Sequence, residues 1–410
     1  MRKNLFFAIL LLISSSTIGQ TTKSGIEVLQ YDNFKQLAHK RIGLITNPTG
    51  INSQFESSID ILHQAPNVML KAMYSPEHGV RGDYSAGDKV NFFTDPKTNV
   101  PVYSLHGKHK KPTPNMLEGI DVLVYDIQDI GSRSYTYIST LGLAMEAAAE
   151  NNIKMVVLDR PNPLGGIKME GMVTEPEFIS FVSQFPIPYV HGMTVGELAL
   201  FLNGEHLLKD GVQCDLEVIK MEGWQRSMTF EETGLPWVPS SPHIPHAYSA
   251  SFYPVSGILG ELYVMSIGVG YTLPFQLFAA QWMDADSLAN NLNALHIEGL
   301  HFRPVHYKPY YSVSKGKLIH GVQVHFTDYN KAPLSLIQFY VLQEAHKLWP
   351  EHNVFELCEP ARLGMFDKVS GSDKIRLEFT KRWLVEDIEH LWYKDIKTFR
   401  KRAAKYFLYQ

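Results

Sequence analysis

The sequence has little cysteine, no surplus of basic residues and no apolar run long enough to span a membrane. Its two cysteines are too few for a disulfide framework or a four-thiolate zinc site, and the sequence leaves open whether Cys214 and Cys358 pair. The 38 lysines and arginines against 42 aspartates and glutamates give a net charge of −4. Since neutralising phosphates requires a basic surplus, this balance argues against a nucleic-acid-binding protein.

The first residues have the pattern of a signal peptide. Two basic residues precede an apolar run over 5–13 that is too short to span a bilayer, and small residues follow it. We therefore expect a signal peptide over 1–19, cleavage before Gln20, and an exported protein that is periplasmic or secreted and has no membrane span. An uncleaved anchor helix is the alternative.

The chain is long enough for two domains. It has 410 residues, of which 45% are hydrophobic and 12% aromatic, so a sizeable core is expected. Beyond about residue 220, alternating strands and helices give way to segments rich in glycine, proline and aromatic residues. We expect a sheet domain over 20–210 and a second domain over 211–410.

Short apolar runs alternate with helical periodicity in the first of these domains. The predicted strands are 41–47, 68–74, 121–127 and 154–158, and the predicted helices cover 135–150 and begin again near 193. Strand–helix–strand repetition implies a parallel sheet with helices on both faces, in which ligands bind beyond the carboxyl ends of the strands. In the second domain the pattern predicts helices over 285–295, 334–348 and 388–409 and a strand over 321–327.

Polar residues cluster just after the predicted strands. The clusters are Glu77-His78, 126–135, 158–166 with Glu170, and 188–194, and a further loop over 237–246 contains His243. Unpaired buried polar atoms are costly, so each cluster requires partners. Either a network that holds loops together or a hydroxyl-rich ligand would supply them, because Asp, Gln and Arg are good hydrogen-bonding groups.

Glu77 is the leading candidate for acid–base chemistry. A partly buried carboxyl group beside His78 and Arg81 could have a shifted pKa that suits proton transfer. An ion pair that braces the loop is the structural alternative.

Other chemistries have weaker support. The sequence has no G-x-S-x-G elbow, no P-loop and no G-x-G-x-x-G motif. Two His-x-x-His pairs have no obvious third metal ligand, so neither a metal nor another cofactor is expected. A Ser-His-Asp hydrolase, such as an esterase or deacetylase, stays open because such triads are spatial.

Taken together, the clusters make the chain resemble a bacterial glycoside hydrolase family, the exo-β-N-acetylmuramidases of the NamZ type. The resemblance covers nearly all of the expected mature chain. Its motifs are R-I-G-L-I-T-N-P-T-G (41–50), S-P-E-H-G (75–79), D-I-Q-D-I-G-S-R-S-Y-T-Y (126–137), L-D-R-P-N-P-L-G-G (158–166), H-G-M-T-V-G-E-L-A (191–199), G-V-Q-V-H-F-T-D (321–328) and K-Y-F-L-Y (405–409).

This resemblance implies a Rossmann-like, mostly parallel sheet domain, a smaller α/β domain and an active site in the cleft between them. It implies release of terminal N-acetylmuramic acid, or a related amino sugar, from the non-reducing end of peptidoglycan fragments. Glycosidic cleavage typically uses two carboxyl groups. We expect Glu77 to be the general acid, with His78 beside it. Asp129 or Glu261 is the first choice for the second carboxylate, and Asp126 and Glu170 are the next candidates. The implied substrate-binding residues are Asp126, Gln128, Arg133, Tyr137, Asp159, Arg160, Asn162, Glu170, His191 and His243.

The sequence also departs from the family pattern at two places. His243 stands where the family has asparagine, and Val269 stands where it has arginine. Losing an arginine removes a donor for a carboxylate such as the lactyl group of muramic acid. A non-catalytic or substrate-shifted glycan-binding protein on the same fold is therefore the alternative hypothesis.

Overall fold

The computed structural model describes residues 21–77, 79–82 and 92–410. The expected signal peptide over 1–19 and His78 lie outside the described residues. Seven strands form the larger sheet, namely β1 (Lys40–Thr46), β2 (Val68–Ser75), β3 (Phe93–Thr94), β4 (Pro101–Ser104), β5 (Val122–Asp126), β6 (Lys154–Leu158) and β7 (Leu216–Ile219). Three strands form the smaller sheet, namely β8 (Leu277–Ala280), β9 (Leu300–Tyr307) and β10 (Ile319–Phe326).

The order of strands in the larger sheet is β3-β4-β2-β1-β5-β6-β7, and all of its pairings are parallel except the edge pair β3–β4. From β1 the chain first extends the sheet on one side through β2 and β4. It then crosses to the other side and adds β5, β6 and β7. This reversal is the Rossmann-like arrangement that the resemblance implies, and it opens a crevice at the carboxyl ends of the central strands.

Thirteen α-helices connect and cover the sheets within the described residues. They are α1 (Gly25–Tyr31), α2 (Ser58–Gln64), α3 (Tyr137–Glu150), α4 (Val195–Gly204), α5 (Ala247–Ala250), α6 (Tyr253–Gly260), α7 (Ala285–Ala294), α8 (Ile337–Leu348), α9 (Val354–Leu357), α10 (Pro360–Ser370), α11 (Lys374–Arg382), α12 (Glu386–Tyr393) and α13 (Ile396–Ala403). The first turn of α4 has the expected capping box, in which Thr194 and Glu197 bond each other's backbone amides.

Alternate residues of each central strand enter different cores. In β5, Leu123 and Tyr125 pack with helices α3 and α4, whereas Val122 and Val124 pack with α1 and α2. Because both faces are covered, the strand is buried along its whole length. The near-continuous apolar run that predicted β5 reflects this burial.

The smaller sheet is antiparallel in the order β8-β10-β9, and helices α6 to α12 surround the core next to it. Ile130, Leu164 and Tyr189 of the sheet domain pack in the same apolar cluster. The two halves of the chain therefore share a continuous core rather than a polar seam.

The end of the chain returns to the larger sheet. In α13, Phe399 and Ala403 join the core formed by α3 and α4. Beyond it, the Tyr409 hydroxyl donates a 2.5 Å hydrogen bond to Asp159 Oδ2. The C-terminal segment thus belongs to the first domain in space although it is last in sequence.

The observed first domain also extends past residue 210, where the sequence placed its end. Residues Leu216–Ile219 pair in parallel with β6 and close that edge of the larger sheet. Cys214 is buried in the core of this domain and Cys358 packs against the other core, and both thiols are free. Among the helices of the described residues, none is both long and apolar enough to cross a membrane.

Candidate active site

Glu77 follows β2 directly at the carboxyl edge of the larger sheet, where Pro76 ends the strand. It lines a cavity of about 220 Å³, which we call the Glu77 cavity. The other residues of its wall are Ser134, Tyr135, Thr136, Tyr137, Ser241, His243, Tyr253 and Phe275. A carboxyl group is thus presented to a chamber bounded mainly by hydroxyl groups and aromatic rings.

Glu261 follows the last residue of α6 and lines a second cavity, of about 260 Å³, which we call the Glu261 cavity. Its wall is more apolar and includes Tyr263, Met265, Ile267 and Val269. The two cavities share His243, Tyr253 and Phe275. They therefore adjoin across a common wall.

Each cavity alone is smaller than most ligand sites, which range from roughly 300 to 1,000 Å³. Together they reach that range. The two adjoining cavities together have one carboxyl group from the larger sheet and one from the second domain. We call the two cavities together the cleft.

Burial and one arginine act in opposite directions on Glu261. Removal from water raises the pKa of Glu261, and the guanidinium of Arg362, with Nη1 3.9 Å from Oε2, lowers it, with burial the larger effect. Arg362 also lies over the ring of Tyr263, 3.9 Å from its centroid. Glu261 therefore holds its proton more strongly than an exposed glutamate does.

Two tyrosines of the Glu77 cavity are held by the loop around Ser240. The Tyr137 hydroxyl donates to the Ser240 carbonyl oxygen at 2.6 Å, and the Tyr135 hydroxyl lies 2.8 Å from Ser240 Oγ. Burial raises the pKa of both tyrosines, and the nearby Glu77 carboxylate adds to the effect on Tyr137. Both phenols stay neutral and have fixed orientations.

His243 lies where the two cavities meet. Its Nε2 is 2.7 Å from the Tyr311 hydroxyl, so a loop of the second domain sets the position of the imidazole. Both residues that depart from the family pattern, His243 and Val269, are therefore part of the cleft wall.

Asp126 and Arg160, both expected to bind substrate, form a buried ion pair instead. The guanidinium donates to the carboxylate from Nε at 2.5 Å and from Nη2 at 2.9 Å, and Ser58 adds a further hydrogen bond to Asp126. Arg160 also donates to the Ile51 carbonyl oxygen. These groups join the ends of β5 and β6 to the segment before α2. Of the two expectations for this polar cluster, they therefore form the network that holds loops together.

Asp159 is likewise saturated by protein donors. It accepts bonds from the backbone amides of Arg160 and Gly196 and from the hydroxyls of Thr194 and Tyr409. Burial raises its pKa to about 6 in spite of these donors. Asp159 therefore ties the amino end of α4 and the chain terminus to the sheet.

Gln128 and Asn162 stabilise turns. Gln128 donates to the carbonyl oxygens of Asp129 and Pro161, and Asn162 donates to that of Met193. Both side chains are buried. They hold neighbouring loops together at the carboxyl edge of the sheet.

Arg133 and Glu170 join the two domains. Arg133 is buried and donates to the carbonyl oxygens of Met172, Ile187 and Val369. Glu170 accepts from the amides of Leu334 and Ser335 and from the Ser335 hydroxyl. Both therefore contact backbone of the second domain, and neither is among the residues that line the two cavities.

Asp129 and His191 form a buried pair. His191 Nδ1 accepts from the Met193 amide, which assigns the ring proton to Nε2, 3.4 Å from Asp129 Oδ2. Asp129 Oδ2 also accepts from the Gly131 amide at 2.7 Å. Asp129 lies outside the walls of both cavities, so Glu261 is better placed than Asp129 as a second carboxyl group.

The described structure therefore brings four of the proposed site residues together around the cleft, namely Glu77, Tyr137, Glu261 and His243. Six further residues complete the wall of the Glu77 cavity and are not among the expected site residues, namely Ser134, Tyr135, Thr136, Ser241, Tyr253 and Phe275. Ser134 and Tyr135 belong to the polar cluster over 126–135, and Ser241 belongs to the loop over 237–246. Tyr253 and Phe275 had no local signal, because only the folding of the second domain brings them to the cleft.

Two family models match the sequence. The N-terminal model of exo-β-N-acetylmuramidase NamZ matches residues 42–248, and the C-terminal model matches residues 251–409. The chain belongs to the NamZ family. The family resemblance inferred from the motifs is thereby confirmed, and the chain is a member of a glycosidase family.

A curated member of the NamZ family is similar over most of the chain. The peptidoglycan β-N-acetylmuramidase NamZ of Bacillus subtilis (strain 168) is 45% identical over 387 residues, which are 94% of this chain and 91% of that protein. Two crystal structures of DUF1343 family proteins from Bacteroides fragilis have similar folds. The first has a TM-score of 0.92 and 60% identity, the second a TM-score of 0.76 and 30% identity, and each comparison covers 95% of this chain and 99% of the other.

The motifs shared with the NamZ family have mainly structural contacts in this protein. The segments over 126–137 and 158–166 match the family pattern, yet the structure uses most of their charged groups as braces. The two NamZ models divide the chain at 248–251, which keeps β7 in the N-terminal part. The cleft is built from both parts.

Proposed function

We propose that this protein is an exported exo-β-N-acetylmuramidase. It releases terminal N-acetylmuramic acid, or a related amino sugar, from the non-reducing end of peptidoglycan fragments. Membership of the NamZ family supports the reaction class. The observation that carries the proposal is that Glu77 and Glu261 line adjoining cavities with a shared wall.

The two carboxyl groups divide the work of glycosidic cleavage. One protonates the departing oxygen and the other acts as a base or nucleophile at the anomeric carbon. We assign proton donation to Glu77, at the carboxyl edge of the sheet, and the second role to Glu261. The raised pKa of Glu261 favours the opposite assignment, in which Glu261 donates the proton and Glu77 is the base or nucleophile. A leaving-group experiment, given in the Discussion, separates the two.

The hydroxyl groups of the Glu77 cavity suit a sugar. Ser134, Ser241 and the neutral tyrosines around them supply donors and acceptors for ring hydroxyls, while Phe275 and Tyr253 supply apolar faces. Val269 leaves the Glu261 cavity without the guanidinium of the family pattern at that position. The carboxylate of the substrate must therefore be bound differently from the way that pattern implies.

Export is the second part of the proposal. Its support is the signal-peptide pattern over 1–19, which would deliver the enzyme to the compartment that holds peptidoglycan. Determining the amino terminus of the protein recovered from its native cell envelope or medium tests this part. A mature chain that begins at Gln20 is expected, and an intact terminus in the cytoplasm would contradict it.

Incubation with peptide-free glycan chains that carry N-acetylmuramic acid at the non-reducing end, followed by mass spectrometry of the products, tests the reaction. The wild-type protein is expected to release a single amino sugar and to shorten each chain from its non-reducing end. Glu77→Gln should release the sugar about 10²- to 10⁴-fold more slowly, whereas Glu118→Gln, at an exposed position elsewhere, should behave as wild type. Measurable affinity for the chains without release by the wild type would instead support the glycan-binding alternative.

A further inference from the structure

A loop of the second domain presents two tyrosines to solvent beside the cleft. Residues 308–318 connect β9 and β10, and we call residues 308–317 of this connection the Tyr310 loop. Tyr310 is 70% exposed and Tyr311 is 49% exposed. Large exposed aromatic side chains side by side on a soluble domain are candidates for ligand contact.

Backbone contacts hold the Tyr310 loop in one position. The Tyr310 amide donates to the Gly270 carbonyl oxygen at 2.7 Å, and the Gly316 amide donates to that of Pro309 at 2.8 Å. A side chain at position 270 would meet the Tyr311 carbonyl oxygen at 2.1 Å, so only glycine permits this close approach. The tyrosines therefore stand on an ordered support.

Tyr310 is the outer member of a stack of three rings. Its ring lies 6.1 Å from that of Tyr271 at an angle of 23°, and Tyr271 lies 4.5 Å from Tyr307 at 30°. Tyr307 is buried and its hydroxyl donates to Ser266. The stack thus fixes the inner rings and leaves Tyr310 exposed to solvent.

The Tyr310 loop continues the wall of the cleft. Ser312 and Val313 line the Glu261 cavity, and the Tyr311 hydroxyl contacts His243, which lines both cavities. A polymer whose end occupies the cleft would pass next to this loop as it leaves. The loop therefore belongs to the same surface as the cleft.

The charge of the loop suits an anionic polymer. Lys308, Lys315 and Lys317 are exposed, and residues 308–317 include no acidic side chain. This local charge is opposite in sign to the net charge of the whole chain, −4. Peptidoglycan strands carry carboxylates on their muramic acid units, so attraction is expected at low salt.

We propose that the Tyr310 loop binds the part of the glycan chain that lies beyond the sugar being released. The apolar face of a sugar ring packs on the face of Tyr310, and the lysines attract carboxylates further along the chain. This inference rests on the proposed function and deepens it. Its consequence is that long chains are better substrates than short ones.

Chain-length dependence tests the proposal. For wild type and Tyr310→Ala, kcat/KM is measured on an aryl glycoside of N-acetylmuramic acid and on a long, peptide-free glycan chain. The variant should lose roughly three- to tenfold on the long chain, as expected for one aromatic contact, and little on the monosaccharide. Tyr31→Ala, at another exposed tyrosine on the sheet domain, should change neither.

The lysines have a separate readout. Lys315→Gln combined with Lys317→Gln should weaken turnover of the long chain at low salt and leave turnover at high salt close to that of wild type. Equal losses on both substrates for Tyr310→Ala, or no loss on the long chain, would overturn the role of the loop.

Direct binding keeps the two proposals distinguishable. If the wild type releases no sugar from either substrate, the proposed function fails. Equilibrium binding of the same long glycan chain to wild type and Tyr310→Ala then tests the loop alone. Equal affinity of the two proteins would reject it, and weaker binding by the variant would support it.

Discussion

Glu77 and Glu261 reach one cleft from different domains, through cavities that share the side chains of His243, Tyr253 and Phe275. Glu77 stands at the end of a parallel strand, and Glu261 at the end of a helix. Any motion of one domain relative to the other would change the spacing of the two carboxyl groups. The buried contacts of Arg133 and Glu170 across the domains oppose such a motion.

The leaving group decides which carboxyl group donates the proton. A general acid typically contributes about 10²- to 10⁴-fold to rate, and a leaving group that is already acidic does not need it. Glu77→Gln should therefore lose about that factor in kcat on peptidoglycan saccharides and much less on an aryl glycoside with an acidic phenol. Glu261→Gln should lose a similar factor on both substrates, measured by initial rates.

The opposite pattern would exchange the two roles. If Glu261→Gln shows the loss that depends on the leaving group, Glu261 is the donor, in agreement with its raised pKa. If neither variant changes either rate, the pair is assigned wrongly. Circular dichroism of both variants confirms that they are folded.

Removing the charge of Arg362 should move one limb of the pH–rate profile. Because Arg362 lowers the pKa of Glu261, Arg362→Gln raises that pKa further. With Glu261 required as a carboxylate, the acidic limb of kcat/KM moves to higher pH, so activity is lost first in acidic solution. Arg362→Lys keeps the charge and should keep the profile.

An arginine in a peripheral ion pair is the matched control for this experiment. Arg382 pairs with Asp387 on the surface of the second domain, and Arg382→Gln should leave both limbs in place. A limb that stays in place, or moves to lower pH, in Arg362→Gln would mean that Glu261 is not the group that titrates.

Breaking a buried ion pair should cost more stability than breaking an exposed one. The side chains of Asp126 and Arg160 are 0% and 5% exposed, so Asp126→Asn leaves a buried guanidinium without its counter-charge and should cost about 3–5 kcal/mol. Asp121 and Arg41 are 32% and 50% exposed, so Asp121→Asn should cost no more than about 1 kcal/mol. Urea unfolding measures both, and equal losses would contradict the bracing role of Asp126.

The contact of Tyr409 with Asp159 should make stability depend on pH. The pKa of Asp159 in the folded state, about 6, is above the ordinary value of 3.8, so its contribution is fully present below pH 3.8 and is lost as the pH rises through 6. The Tyr409 hydroxyl opposes this shift, and Tyr409→Phe extends the loss to higher pH. The variant should cost about 0.5–1.5 kcal/mol at pH 4 and about 1.5–3 kcal/mol at pH 8.

Tyr406 provides the control on the same terminal segment. Its hydroxyl contacts Glu205 at 3.1 Å, and Glu205 keeps two basic partners when that hydroxyl is removed. Tyr406→Phe should therefore have a small effect. Because burial raises the pKa of Glu205 less than the basic partners lower it, that pKa lies below 4.5, and the effect should stay constant from roughly pH 5.5 to pH 8, the range in which that of Tyr409→Phe increases. A pH-independent loss in Tyr409→Phe would show that Asp159 does not titrate in this range.

Local patterns were sufficient for the elements at the centre of the larger sheet. The strands expected over 121–127 and 154–158 appear as Val122–Asp126 and Lys154–Leu158, because strands covered on both faces must be apolar throughout. The edge strand Leu216–Ile219 and the strand Leu300–Tyr307 were not predicted. Their residues are mixed in polarity, and only pairing with a distant strand makes them part of a sheet.

The family, the parallel sheet and the candidacy of Glu77 follow from the sequence, since each depends on residues that are close together in the chain. Which polar residues face the cleft depends instead on the folded arrangement of distant segments. Asp126 and Asp159 stand at strand ends as a ligand site requires, yet partners such as Ser58 and Tyr409, far away in sequence, saturate them. Tyr253 joins Glu77 and Glu261 in one cleft for the same reason, because contacts between the domains cannot be read from local periodicity.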